Sequence, residues 1–217
     1  MSAELEERLR WVRALPVIER REEFLAPLLG EGPLLDIGCI DERRPERIAA
    51  SLHAWIRSRC PEVHGIDADE RAVEIAAQHG FAVRLADAER DDLGGPYATI
   101  VAGEVIEHVG NAGAFLRNLA RHLRPEGLLL LTTPNPFSFR QSSKILRRGE
   151  PQVHARHTAW LDPLTLLEAA AREGLQARSG AWILPARGPL LRWLARRRPF
   201  GCEGFAVALV RRAQTDR

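Results

Sequence analysis

Five short apolar runs in this chain each stop abruptly at polar or small residues, and helical stretches fill the gaps between them. The runs are Leu34–Gly38, Val63–Asp67, Phe81–Ala86, Tyr97–Ala102 and Gly127–Thr133, the last (GLLLLTT) being the strongest strand signal in the sequence. Runs of this length bounded by turn residues read as buried strands. Between them Ile48, Leu52 and Ile56 mark one helix face, Glu70–His79 a second helix, and Phe115, Leu116, Leu119 and Leu123 a third. Pro163–Arg172 reads as a further helix, with strands near Leu175–Leu184 and Phe205–Val210, while Pro134–Ala155 reads as a long loop with a short helix. Leu5, Leu9 and Val12 before Pro16, then Phe24, Leu25 and Leu28, predict a helical N-terminal cap over residues 1–30. Alternating strand and helix with short links predicts an α/β fold: a seven-stranded, mostly parallel sheet with helices on both faces.

Size and composition agree with that reading. The 217 residues fit one domain, 1–217, and 45% hydrophobic with 28% charged residues is an ordinary globular balance. A net charge of +2 says little about partners. Cys39, Cys60 and Cys202 are far apart, with no CxxC pair, which predicts a reducing compartment. The charged start MSAELEERLRWVRALP lacks the apolar core of a signal peptide, and no apolar run approaches the ~18 residues of a membrane span. The expected location is the cytoplasm.

Sheets of this kind bind ligands beyond the carboxyl ends of their strands, at the switch point in strand order. That directs attention to Asp36–Asp41, Asp67–Asp69, Ala86–Glu89, Gly103–His108 and Thr132–Pro136. These tips resemble those of class I S-adenosylmethionine-dependent methyltransferases, which have a Rossmann-like fold. LLDIGC (Leu34–Cys39) is similar to the family's first motif, and HGIDADERAVEIA (His64–Ala76) to its second strand. LADAE (Leu85–Glu89), VAGEVIEHV (Val101–Val109) and LRPEGLLLLTTPNP (Leu123–Pro136) resemble the third, fourth and fifth. The resemblance implies S-adenosylmethionine as cofactor, lined by Asp36, Gly38, Cys39, Asp67, Ala68, Asp87, Ala88 and Glu104. Within it Asp67 holds the ribose hydroxyls, for which a carboxylate offers two acceptor oxygens, and Asp87 with Ala88 recognises adenine. From the residues alone, Asp67 or Asp69 is equally a helix N-cap, and Asp87 a turn residue.

One departure stands out. The family pattern Asp-x-Gly-x-Gly-x-Gly here runs Asp36-Ile37-Gly38-Cys39-Ile40-Asp41-Glu42, with Ile40 and Glu42 replacing glycines that allow positive φ. The turn must therefore run differently, and a non-catalytic binding protein on the same fold is the competing reading.

Glu104, Glu107 and His108 follow the fourth strand. This Glu-x-x-Glu-His resembles that of ubiquinone-pathway O-methyltransferases and of small-RNA 3′-terminal 2′-O-methyltransferases, which implies a divalent metal (Mg or Mn) on Glu104, Glu107 and His108. The RNA enzymes carry a later histidine after a TPN-type segment; here TTPNPF is followed by His154 and His157. A metal-free alternative makes His108 or His157 the general base that accepts the hydroxyl proton.

Two stretches are strongly basic. Arg140, Lys144, Arg147 and Arg148 fall in one acceptor-side insertion, 134–160. Arg187, Arg192, Arg196, Arg197 and Arg198 fall in the other, 185–202, interleaved with Leu190, Leu191, Trp193 and Leu194. Such a basic amphipathic helix reads as a contact for a membrane surface or an anionic ligand, or else as a solvated helix packing Leu190 and Trp193 on the core. The expected activity is O-methylation of a small or amphipathic, even anionic, acceptor. RNA 2′-O-methylation is the alternative, although no nucleic-acid-binding motif supports a nucleic-acid partner.

Overall fold

Leu34–Ile37, the first long apolar run, forms strand β2 and is buried along its whole length, as a strand flanked on both sides and covered on both faces must be. The computed structural model describes residues 2–41 and 44–212. Within them β2 pairs in parallel with β3 (Val63–Asp67) and β5 (Tyr97–Gly103), β3 pairs with β4 (Val83–Leu85), and β5 with β6 (Leu123–Pro134). Antiparallel pairing enters only through β8 (Gly204–Arg211), which lies between β6 and β7 (Leu175–Ile183). With β1 (Val17–Ile18) the order is β1-β7-β8-β6-β5-β2-β3-β4, and the direction of winding reverses between β2 and β5.

The sheet therefore has eight strands rather than the seven expected. The added strand is β1, inside the segment read as purely helical. Pro16 ends helix α1 (Ala3–Arg13), and the next residues run parallel to β7, where Trp182 donates its N–H to Pro16 O at 2.8 Å and Leu184 to Ile18 O at 3.0 Å. This edge strand splits the cap between the two faces. Val12 of α1 joins the core face that holds Leu35, Ile37, Phe115 and Trp182. Phe24 and Leu25 of α2 (Arg21–Leu25) join the opposite face with Leu34, Val101 and Leu130. The strict alternation of Leu34 and Leu35 between the faces is the period-two geometry of a strand, and it turns Asp36 toward the same side as Leu34.

Other boundaries move for local reasons. The Ile48–Leu52–Ile56 face is not one helix: a 3-10 segment Pro45–Ala50 precedes α3 (Leu52–Arg57), whose start is fixed by Ser51 accepting the Ala54 N–H. Helix α4 is Glu70–Gln78, and α7 is Pro163–Arg172. Helix α5 (Ala112–His122) buries Phe115, Leu116 and Leu119, whereas Leu123 begins β6. The segment read as a long loop with a short helix holds the ten-residue α6 (Phe139–Arg148), capped by Ser138 at its start and by Gly149 in the left-handed region at its end. Helix α8 (Pro189–Arg197) buries Ala195, with Leu191 and Leu194 half-buried. Leu190 and Trp193 face solvent, so the expectation that they pack on the core is wrong.

Candidate functional site

The carboxyl tips of β2, β3, β4 and β5 meet around a cleft of ≈ 1020 Å³ lined by 36–41, 67–70, 86–89 and 103–105, with His108, His154 and Arg156 on one side. The first tip turns at Gly38, whose φ of 62° favours glycine. A Cβ there would also sit 2.6 Å from Val105 Cγ2. Ile40 avoids positive φ: its side chain is buried with Ile48, Ala72 and Ala76, and its N–H donates to Asp67 Oδ2 at 3.1 Å. The turn does run differently from the three-glycine pattern, anchored by an apolar side chain and a carboxylate on the neighbouring strand. Glu42, the other departure, lies outside the described residues.

Asp67 ends β3 with both oxygens engaged, Oδ1 accepting the Asp69 N–H at 3.0 Å. Burial pushes its carboxyl up, opposed by these backbone N–H groups. Capping of α4 falls to Asp69, which accepts the Ala72 N–H. Asp67 is thereby left at the cleft wall without a helix to cap. Asp87 is held in a turn, accepting the Glu89 N–H at 2.9 Å and pairing with Arg90 at 2.7 Å, while Ala88 is buried beside it. Glu89 accepts the Gly110 and Asn111 N–H groups at 2.7 and 2.8 Å, tying this tip to the start of α5.

Asp36 and Cys39 also line the cleft. Asp36 is buried, and burial pushes its carboxyl up against the lowering effect of His53 and Arg21. Burial, reinforced by Asp36 and Asp67, pushes the Cys39 thiol up as well, so it stays neutral. Sequence reasoning missed His53 and Arg21. His53 lies three residues before Ile56 and so shares the buried side of α3, a periodic signal that was available. Arg21 opens α2 on the cap, and only the tertiary fold carries it into the cleft wall.

The expected Glu104–Glu107–His108 triad does not converge. Glu104 takes φ 60°, donates its N–H to Thr132 O and accepts from Thr132 Oγ1 at 3.1 Å. Residues 106–108 then form a turn instead of opening a helix, and Asn111 caps α5 four residues later than Glu107. Glu107 is buried, off the cleft, accepting from Thr133 Oγ1 at 2.9 Å. Burial, with Glu104 adding to it, pushes its carboxyl to about 8; burial also pushes Glu104 up. Among the described residues, His108 shares its possible ligand-atom cluster, within 4.8 Å, with His154 and His157 rather than with the glutamates. Mg and Mn take oxygen donors, whereas three imidazoles suit softer ions, so this donor set does not fit the metal expected.

The His154–His157 loop is strapped to that turn, with Thr158 donating its N–H to Glu107 O at 2.9 Å. The His157 ring stands edge-on to His108, centroids 4.7 Å apart, and the Trp160 indole N–H donates to His157 Nδ1 at 3.1 Å. His108 borders the cleft; His157 stands behind it, outside the lining.

Residues 8–179 match a family described as a methyltransferase domain. The chain is 33% identical over 138 residues to the ubiquinone biosynthesis O-methyltransferase of Caulobacter vibrioides, covering 59% of this chain and 51% of that protein. It is 39% identical over 123 residues to the protein of the same name from Maricaulis maris, covering 51% and 46%. The chain thus spans about half the length of the curated relatives it matches. Among solved structures, an S-adenosylmethionine-dependent methyltransferase from Mesorhizobium loti superposes with a TM-score of 0.61 at 16% identity, over 87% of this chain and 95% of the other, a likeness of fold.

Proposed function

Since the chain belongs to the methyltransferase-domain family, as a class I S-adenosylmethionine-dependent methyltransferase, we propose that it moves the sulfonium methyl onto a hydroxyl oxygen of a small or amphipathic acceptor. One observation carries this reading: acidic residues of three adjacent strand tips, Asp36, Asp67 and Asp87, border one nucleoside-sized cleft that His108 also lines. Asp67 takes the ribose hydroxyls, Asp87 and Ala88 the adenine, and Asp36, Gly38, Cys39, Ala68 and Glu104 border the rest of the cofactor. The segments 134–160 and 185–202 flank the acceptor within the single domain 1–217.

In the reaction the acceptor oxygen attacks the methyl carbon in line, the carbon–sulfur bond breaks, and S-adenosylhomocysteine leaves. His108 accepts the hydroxyl proton. His157 is a positioning residue: with Nδ1 accepting from Trp160, its neutral ring carries the proton on Nε2 and buttresses the His108 ring. Alignment of acceptor and methyl group does much of the remaining work. No step passes through Mg or Mn.

The test offers radiolabelled S-adenosylmethionine with phenols that carry or lack a hydrophobic tail. Methylated oxygen, turnover undiminished in EDTA, and a fall in kcat of about 10²-fold or more in His108→Gln with unchanged S-adenosylhomocysteine binding are expected. Methylation of amines alone defeats the O-methyl reading. Failure to bind the cofactor product would return the chain to the non-catalytic alternative.

A further inference from the structure

Eight large apolar side chains stand exposed among the described residues, and six of them lie in or beside two short helices. They are Phe137, Ile145, Leu146 and Val153 around α6, and Leu190 and Trp193 on α8. Exposures of 86% for Leu146, 66% for Leu190, 63% for Phe137 and 50% for Trp193 mean that the fold itself covers little of them. Single exposed leucines are ordinary on a protein surface, but a concentration of this kind marks a contact surface. Helices α6 and α8 touch each other, and the Phe139 ring lies against Gly201 just after α8, where no larger residue would fit. Phe139 therefore anchors α6 at its start while Ile145 and Leu146 project from its last turns.

The charges around these residues are mostly positive. Residues 185–202 contain five arginines and no acid, and 137–153 contain four cations and the single acid Glu150, in a chain whose net charge is only +2. Arg140 pairs with Glu203, and Arg192 and Arg196 with Glu19. Other cations rest on neutral partners: Lys144 on Gln152 Oε1, Arg147 on Ser143 O, and Arg197 over the Trp193 ring at 4.0 Å. On α8, Leu190, Trp193 and Arg197 at positions i, i+3 and i+7 share the outer face, while Ala195 points inward. An apolar stem with an aromatic ring and an arginine above it is the arrangement that enters the boundary between acyl chains and headgroups.

We propose that α6 and α8 dock this protein on an anionic lipid bilayer, with Leu146, Leu190 and Trp193 entering the interface and the surrounding arginines meeting the headgroups. Charge complementarity selects this occupant, because the patch joins exposed apolar bulk to nine cations, against Glu150 within it and the Glu19 and Glu203 with which three of them pair. The loop that leaves α6 carries His154 and Arg156 to the cleft, so docking brings the cleft's acceptor side toward the bilayer. Docking itself does not depend on the acceptor assigned above.

The full chain is sedimented with vesicles of neutral phosphatidylcholine and with vesicles containing about 30% phosphatidylglycerol, at low and high salt. Binding to the anionic vesicles is expected, weakened by salt, and at least about tenfold weaker to neutral ones. Leu146→Ser with Trp193→Ser should lose at least about tenfold in binding, with the melting temperature and S-adenosylhomocysteine affinity unchanged. Arg147→Gln with Arg148→Gln should lose about fivefold per charge on anionic vesicles alone, which keeps the test open if the first variant does not fold. No partition onto either vesicle, or partition unaltered by both variants, overturns the proposal. So does light scattering that shows a dimer dissolved by Leu146→Ser and Trp193→Ser, since a second copy would then cover the patch.

Discussion

His53 Nδ1 lies 2.9 Å from Asp36 Oδ2; both side chains are buried, and Asp36 lines the cleft. Gly65, opposite Asp36 in the adjoining strand, makes the room: a Cβ there would lie 2.8 Å from His53 Cε1 and 3.1 Å from Cys39 Sγ. Burial alone raises the Asp36 carboxyl, and His53 opposes that rise. Removing one partner leaves the other buried polar group without its hydrogen bond, at about 1–3 kcal/mol. His53→Phe is therefore expected to lower unfolding free energy in urea by roughly that amount. Asp36→Asn combined with it should cost less than the two single changes added together.

Gly38→Ala meets two obstacles at once, a φ of 62° and the methyl of Val105 at 2.6 Å. Strained backbone of this kind costs about 1–3 kcal/mol before any clash is counted. Thermal melts should show the loss, and calorimetry a weaker S-adenosylhomocysteine affinity. Adding Val105→Ala removes the clash but not the backbone strain, so only part of the loss should return. Full recovery would mean that the dihedral angle carries no cost.

The central sheet was legible because β2, β3, β5 and β6 contain short, mostly apolar runs that end at polar or small tips, and local sequence records both features. Val17–Ile18 was not legible: two residues have no periodicity, and β1 exists through pairing with Trp182 and Ile183 across the chain. A short helix within 134–155 was legible, but its bounds were not, because the serines and basic residues of α6 carry little apolar periodicity, although Ser138 is a cap signal. At the site, the spacing of Glu104, Glu107 and His108 suggested convergence only if a helix began at once. The positive φ of Glu104 and the late cap at Asn111 send the glutamates to Thr132 and Thr133 instead. Arg21 was beyond reach, because nothing near it in sequence records what it approaches in space.

Asp67 joins two loops through one carboxylate, accepting from Ile40 on one side and Asp69 on the other. Hydrogen bonds to a charged group contribute about 1.5–3 kcal/mol each. Asp67→Ala should therefore weaken S-adenosylhomocysteine binding about 10- to 100-fold by calorimetry. Asp67→Asn keeps one acceptor oxygen and should fall between. Affinity within about twofold of the parent in both would remove Asp67 from cofactor recognition.

Glu107 gives the protein a stability that depends on pH with a definite sign. Its carboxyl moves from an ordinary 4.5 to about 8 in the folded chain, chiefly through burial and then through Glu104. The folded state thus holds a proton that the unfolded state releases. This contribution is fully present below about pH 4.5 and is lost progressively as pH rises through 8. Glutamine imitates the neutral acid at every pH and keeps an oxygen for the Thr133 hydroxyl. Glu107→Gln should therefore match the parent near pH 5 and exceed it near pH 8.5 by on the order of 1 kcal/mol or more, seen as a flatter melting temperature against pH. Parallel melting curves for the two proteins would mean that Glu107 is ionised throughout, and the Thr133 contact would then be a carboxylate held by a hydroxyl.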